Sequence, residues 1–338
     1  ERTKKLMVGP IGYVLPTWDP IRLAEQTAMV DQMTKGRHIV GMARGYQHRW
    51  GNVLGQKYFG GSPPPDDRSE RDQFNTKTFE EVYRILKMAW TQDSIEFKGE
   101  RYQIPFPYDQ GIPKWPAQKL TSTYGAPGEL DEDGVIRRVC VVPKPYQQPH
   151  PILFQAFSTS ESTLAFSARE GLIPIIVSCW PATYRRHVEV YREAAAQAGY
   201  KLEHGQNTGV VRGMHFGDTK EEAYNLFESY HYKTWMDGLS PFNFFEAFRG
   251  AYPEDDTKYP KSEGVLLPPE EWTPQRMIDH KYEYLGTLDE VKRQFEEHTV
   301  KVGNPDYFLW FCDQGVMPQD QLKRQIEMMG EVIKEFGD

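Results

Sequence analysis

The chain is informative first in what it does without. Among 338 residues there are three cysteines, Cys140, Cys179 and Cys312, scattered along the sequence. That is too few for a disulfide framework, and the spacing suits no metal knuckle, so a reducing cytoplasm is the expected compartment and no metal site is expected. No run of 18 apolar residues occurs, which leaves no candidate membrane-spanning helix. Basic residues are outnumbered, 40 Lys and Arg against 48 Asp and Glu, and form no stripe. A general nucleic-acid binder, which must neutralise phosphates, is thereby excluded. What remains is an ordinary globular composition, long enough for one large α/β barrel or two smaller domains. The 8 Trp, 19 Tyr and 18 Phe exceed what turns and surfaces need. Most belong in a core, and some suit the walls of a flat, apolar ligand.

The clearest local signal runs from Val8 to Gly45. Val8–Leu15 reads as a buried strand. Asp19 is a good N-cap and Pro20 fits the first helical position, where its missing N–H costs nothing. Ile21, Ala24, Ala28 and Met29 then keep an apolar face at helical spacing. Gly36 suits a left-handed C-terminal position, and His38–Ala43 is a second buried strand. A strand–helix–strand unit of this kind makes a parallel crossover. Arg44, directly after the strand, sits where parallel folds bind ligands, or else is a solvated loop arginine.

Further core strands are expected at Ile152–Phe157, Ile173–Ser178, Gly209–Phe216 and Tyr307–Cys312. Helices are expected at Phe79–Trp90, after Thr163 to Gly171, at Tyr184–Ala198, from Lys220 to Trp235, after Thr287 and at Gln319–Phe336. Continuous rather than alternating apolar strands, separated by helices, mean a parallel sheet covered by helices. Six strands are visible where a closed barrel needs eight, so two βα units of roughly 30 residues each are expected to precede Glu1. An open doubly wound sheet is the other solution. Three excursions interrupt the order, at about 46–78 (with GGSPPPDD), 98–148 (short strands forming a hairpin outside the main core) and 236–284.

The second chemical signal is Ser158-Thr159-Ser160-Glu161-Ser162-Thr163, which follows a strand and opens a helix. Its hydroxyls, the free N–H groups of the first turn and the positive end of the helix dipole together make an anion site. The plainer reading is helix capping. Arg44 adds a planar permanent cation suited to phosphate, and the pair favours a phosphorylated cofactor. Neither stretch contains GxGxxG or a P-loop, so the dinucleotide and ATP fingerprints are missing.

At these residues the chain resembles the luciferase-like flavin monooxygenases. The resemblance rests on VLPTWDPIRLAEQTAMVDQMTKGRHIVGMARGYQ, on PKPYQQPHPILFQAFSTSESTLAFSAREGLIPIIVS and on YLGTLDEVKRQFEEHTVKVG. It implies a single TIM-like (β/α)8 barrel domain over residues 1–338 that binds FMN. Reduced flavin, usually supplied by a separate reductase, would react with O2 to oxygenate a small organic molecule, and a homodimer is implied. By position, Arg44, Thr159, Ser160 and Thr163 correspond to the phosphate site, bordered by Gly45 and Tyr46. Ile11-Gly12 matches a place where the family often has a non-proline cis peptide under the flavin ring. Ala43 stands where luciferase has a reactive cysteine, so thiol chemistry is not expected. The family's active-site histidine falls before Glu1, which leaves the catalytic acid or base unassigned. His48 and His215 are alternatives facing a pocket or a loop, His150 is structural, and Trp180 walls the flavin or is core. Deazaflavin (F420)-dependent hydride transfer, or a non-catalytic flavin-binding subunit, are the other functions this fold allows.

Overall fold

The computed structural model describes residues 3–56, 70–250, 252–312 and 315–337, and the chain divides into two compact units, Glu1–Phe154 and Gln155–Asp338. In the first, β1 (Tyr13–Val14), α1 (Pro20–Thr34) and β2 (Ile39–Ala43) form the expected crossover, followed by α2 (His48–Leu54), α3 (Glu70–Thr91), β3 (Phe97–Lys98), β4 (Gln103–Ile104) and α4 (Gln118–Tyr124). The Asp19 carboxylate accepts from the Arg22 N–H at 3.0 Å, and Lys35 and Gly36 close α1 in the left-handed region at φ 55° and 80°. We expect Asp19→Ala to cost about 1 kcal/mol in urea unfolding, because an orphan N–H of the first turn loses its acceptor. The buried stripe of α1 is Leu23, Ala24, Thr27 and Ala28, while Met29 points to solvent. The Trp90 indole of α3 donates to the Ala24 carbonyl across that contact.

β1 and β2 are parallel, with Tyr13 opposite Met42 and Val14 opposite Ala43, and a further bridge joins Val8 to His38. The strand read from Val8 to Leu15 is thus a short ladder at its end and a bridge at its start. Among the described residues every cis peptide precedes proline (Ile104–Pro105, Phe106–Pro107, Val142–Pro143 and Gln148–Pro149), so the expected cis bond at Ile11-Gly12 is not found. A trans chain keeps this segment alongside β2, with Ile39 N–H donating to Val8 O and Gly41 N–H to Pro10 O. Gly41 permits the approach, since a Cβ there would lie 2.2 Å from the Ile11 carbonyl oxygen.

α3 starts nine residues before the expected Phe79 and buries Val82, Ile85, Leu86 and Ala89 as the pattern required. The 98–148 excursion carries the anticipated short pairings: β3 runs antiparallel to β4, and Ile95 bridges Val139 and Ile112 bridges Ile136. The GGSPPPDD stretch lies outside the described residues.

The second unit takes in the end of β5 (Ile152–Ser158), then α5 (Glu161–Glu170), β6 (Ile173–Ile176), α6 (Pro181–Gln197), β7 (Gly209–Phe216) and α7 (Lys220–Leu226). After a long excursion with α8 (Asp255–Lys258) and α9 (Pro274–Asp279) come β8 (Glu283–Gly286), α10 (Leu288–Phe295), α11 (Lys301–Gly303), β9 (Tyr307–Trp310) and α12 (Gln319–Phe336). β7 is its centre, with all eight residues buried. Its first half pairs in parallel with β6 and β9, its second half with β8, in the register Gly213 opposite Glu283 and His215 opposite Leu285. β8 is a strand that the six expected ones did not include. Alternate residues of β7 divide the work. Met214 and Phe216 pack with Tyr284, Val291 and Phe295, and with Met329 and Val332 of α12. His215, between them, turns to Phe227 and His231. The helix expected from Lys220 to Trp235 is α-helical only to Leu226, after which π-turns run over Phe227–Tyr232 and Trp235–Leu239.

Candidate functional site

In the first unit, β2 delivers Ala43, Arg44, Gly45 and Tyr46 at its carboxyl end. A Cβ on Gly12 would meet the Ala43 methyl at 3.5 Å, so Ile11-Gly12 and Ala43 are brought together with ordinary packing room. Arg44 is half-buried and its Nη1 donates to Thr76 Oγ1 of α3 at 2.9 Å. One edge of the guanidinium is thereby fixed by a helix, which pre-organises the cation. Gly45 adopts φ 88°, a conformation that favours glycine, and turns the chain sharply after the strand. The Tyr46 hydroxyl accepts from the Gln47 side chain at 3.0 Å. The side chain of His48 lies outside the described residues. His150 has Nδ1 2.9 Å from the Pro151 carbonyl oxygen and its ring beside Trp90.

In the second unit, Ser160 caps α5 and meets Thr163 directly. Its hydroxyl lies 3.0 Å from Thr163 Oγ1 and 3.2 Å from Ser162 Oγ, and accepts weakly from the Thr163 N–H at 3.4 Å. Thr159 is exposed. The capping reading is therefore right as far as it goes. A second observation adds to it: Ser158, fully buried at the end of β5, has a hydroxyl without a hydrogen-bond partner among the described residues. Buried hydroxyls are rarely left so, and one beside an open helix N-terminus fits a polar ligand. Phosphate oxygens accept, and each of these hydroxyls has an O–H that can donate to them.

Trp180 begins the turn into α6 and stands 6.3 Å, ring to ring, from His280. Burial drives the His280 imidazole down to about 3, so it is neutral at any physiological pH. Cys179 beside it is buried, donates to the Val177 carbonyl at 2.7 Å, and is pushed up to about 12 by burial against the pull of Arg212. It stays a thiol and is no nucleophile.

The titratable cluster that the sequence did not reveal lies between β7, β8 and the π-turn. The Glu283 carboxylate, with no exposed side-chain surface, accepts from His215 Nδ1 at 2.7 Å through one oxygen and from His231 Nδ1 at 3.1 Å through the other. The Trp235 indole N–H donates to His231 Nε2 at 3.0 Å. Burial alone would raise the Glu283 carboxyl, but the two imidazoles outweigh it and hold the group below its ordinary range. Burial lowers the His231 imidazole, against the raising influence of Glu283. Gly213 makes the room, since a Cβ there would stand 1.8 Å from Glu283 Oε2. Two histidines and a carboxylate whose donor atoms lie within 4.8 Å also resemble a transition-metal set. The indole argues otherwise. Trp is a donor only, so His231 Nε2 must carry the lone pair and Nδ1 the proton, and a protonated nitrogen cannot ligate a metal. His215 had some signal in its strand-end position. Glu283 and His231 had none, because one starts an unforeseen strand and the other lies on an unforeseen π-turn.

The sequence profile described as luciferase-like monooxygenase matches residues 1–309. An FMNH2-dependent dimethylsulfone monooxygenase of Pseudomonas putida is 28% identical over 229 residues, 65% of this chain and 47% of that one. The chain spans about half the length of the first curated relatives it matches. Among solved structures, the oxygenating constituent of 3,6-diketocamphane monooxygenase of P. putida, in complex with FMN, superposes with TM-score 0.68 at 17% identity, over 97% of this chain and 79% of that one. The F420-dependent tetrahydromethanopterin reductase of Methanopyrus kandleri superposes with TM-score 0.62 at 15% identity, over 98% and 83%. These likenesses identify the fold as the TIM-like α/β barrel class.

Proposed function

Given that this chain belongs to the luciferase-like monooxygenase family, we propose that it is a flavin-dependent monooxygenase using reduced FMN and O2 to oxygenate a small apolar or aromatic organic substrate. Two observations, one in each unit, support this reading: in the first the helix-anchored Arg44 guanidinium after β2, and in the second the hydroxyls around the start of α5, where the buried Ser158 hydroxyl has no hydrogen-bond partner among the described residues. Each is proposed as a ligand of the FMN phosphate. Gly45 and Tyr46 are proposed to border that phosphate site, and Ile11-Gly12 with Ala43 to border the flavin ring. Bound reduced flavin supplies the electrons that activate O2.

The chain's own contribution is to bind, orient and exclude water. Arg44 and the α5 dipole hold charge without needing a proton. Ala43 carries no thiol, and the thiol of Cys179 is masked by burial, so covalent chemistry through sulfur is not part of the reading. The aromatic excursion after Met236 is proposed as a lid, and a separate flavin reductase and a homodimer as partners. Among the described residues no helix is long and apolar enough to cross a membrane.

The likeness to an F420-dependent reductase favours a second reading, hydride transfer from deazaflavin on the same fold. Binding of FMN and of F420 separates the two when combined with O2 consumption in the presence of reduced FMN. F420 binding with no oxygen uptake would sink the monooxygenase reading, and FMN binding without turnover would point to a non-catalytic subunit. Arg44→Ala is expected to weaken FMN binding about tenfold to a hundredfold, the worth of one charge-assisted hydrogen bond. Unchanged affinity would remove Arg44 from the phosphate site.

A further inference from the structure

The buried cluster on β7 and β8 does something the oxygenase reading does not require. We infer that Trp235, His231, Glu283 and His215 form an acid-sensitive latch that holds the aromatic segment Trp235–Phe248 onto the strands. This inference stands independently of the flavin chemistry.

The direction of each hydrogen bond is set by its end members. An indole N–H can only donate and an ionised carboxylate can only accept. Between them His231 must accept at Nε2 and donate at Nδ1, which is the neutral imidazole in one tautomer. Glu283 uses its second oxygen to accept from His215 Nδ1. The chain therefore reads from the indole N–H to the imidazole, on to the carboxylate, with a second imidazole closing it. Every member is buried, with relative exposures of 3% for Trp235 and 1% for Glu283.

Protonating His231 breaks the direction. An imidazolium has N–H on both nitrogens, so Nε2 would face the indole donor with a donor, and a buried unpaired N–H is costly. Trp235 must then let go. It carries a large apolar load: its ring packs 5.0 Å from Phe248, 5.1 Å from Tyr282 and 6.1 Å from Phe245, within a cluster that also holds Met277 and Leu285. The backbone there consists of π- and 3₁₀-turns, and such turns hold less firmly than α-helix. Loss of one hydrogen bond at Trp235 is thus transmitted to the whole segment.

The groups facing His231 are few. From β7 comes His215, itself titratable. From β8 comes Glu283, and next to it the Tyr282 phenol, which burial keeps protonated. The rest are rings: Phe311 stacks at 5.6 Å, and Phe227 on the same turn stands edge-on at 6.0 Å. No Lys or Arg forms an ion pair with the imidazole among the described residues, and the charges that bear on it are the Glu283 carboxylate, which favours its protonation, and His215, which opposes it. Burial lowers the His231 imidazole below its ordinary 6.5 in the folded chain. Below pH 6.5 the unfolded chain therefore takes up the proton first, and stability falls as the solution becomes more acidic.

The test uses the full chain and the indole N–H resonance of Trp235, assigned by its absence in Trp235→Phe. The resonance should persist at neutral pH and be lost reversibly below pH 6.5, with the unfolding temperature falling by about 3 °C or more over the same range. His231→Gln supplies one acceptor and one donor without a titrating group. It should keep the resonance through that acid range. The same acid transition in His231→Gln would overturn the inference. If that variant does not fold, side-chain ¹⁵N spectra of the unaltered protein decide the matter. They should show His231 protonated at Nδ1 and bare at Nε2, and the opposite tautomer overturns the latch. So would a stoichiometric divalent metal ion, sought by elemental analysis before and after chelation.

Discussion

Gly213→Ala is expected to cost about 3 kcal/mol in urea-induced unfolding, at the upper end for one added methyl group. The new Cβ would lie 1.8 Å from Glu283 Oε2, 2.7 Å from the carboxyl carbon and 2.7 Å from His231 Cε1. None of these can withdraw cheaply. Glu283 is the first residue of β8 and lies opposite Gly213 in the ladder, where the Gly213 N–H donates to the Tyr282 carbonyl at 2.9 Å. The carboxylate is held by hydrogen bonds at both oxygens, so moving it strands two buried imidazoles. A double-mutant cycle with Glu283→Asp isolates the cause. The shorter arm draws the carboxylate back by one methylene, so the pair should be about 1 kcal/mol or more stabler than the sum of the single losses. Simple additivity would show that the glycine matters for backbone freedom instead.

The same residues show where a sequence reveals its structure and where it does not. The unit from β1 to β2 was legible because each signal was local: an N-cap carboxylate, a proline at the first turn, a glycine at the end, and two apolar runs. The Ser160 cap and the Thr287–Glu290 capping box were legible for the same reason. β8 was not, since four residues beginning with a glutamate give no periodicity and follow a long aromatic stretch. Its register depends on β7, a partner distant in sequence. His231 was hidden by a subtler effect. An α-helix continued from Lys220 would point its side chains elsewhere, and the π-turn that redirects them is a tertiary compromise, not a propensity. Met29 was misplaced because helical spacing fixes which residues share a face but leaves its edges to packing. The Ile11-Gly12 bond was expected cis by resemblance alone, and the pairing of Val8 and Pro10 with β2 is satisfied by a trans chain.

The excursion before β8, which reads in sequence as a proline-rich loop, is pinned by an ion cluster whose removal should be as costly as any change in the chain. Arg276 of α9 is 0% exposed and forms a two-pronged pair with Asp255, Nη1 to Oδ2 at 2.7 Å and Nη2 to Oδ1 at 3.0 Å. Nη2 also binds the Glu271 carboxylate, Nε donates to the Glu271 carbonyl at 3.0 Å, and the guanidinium lies 4.5 Å over the Tyr252 ring. Asp255 is itself buried and accepts the Gly250 N–H. Arg276→Ala leaves that carboxylate without its cation, for which about 3–5 kcal/mol is expected. Arg276→Lys should recover only part, because an ammonium cannot reproduce the fork. The acid limb separates this from a mere cavity. Hydrogen bonds from Arg276, Tyr259 and Lys258 hold Glu271 down to about 2, against an ordinary 4.5. A carboxyl depressed on folding adds stability above pH 4.5 and loses it as the pH falls toward 2. Without Arg276, the largest of those causes, Glu271 should titrate nearer its ordinary value. The variant should therefore be less stable at neutral pH yet lose less of its remaining stability between pH 4.5 and 2. A parallel downward shift of the whole pH profile would mean that the arginine acts through packing alone.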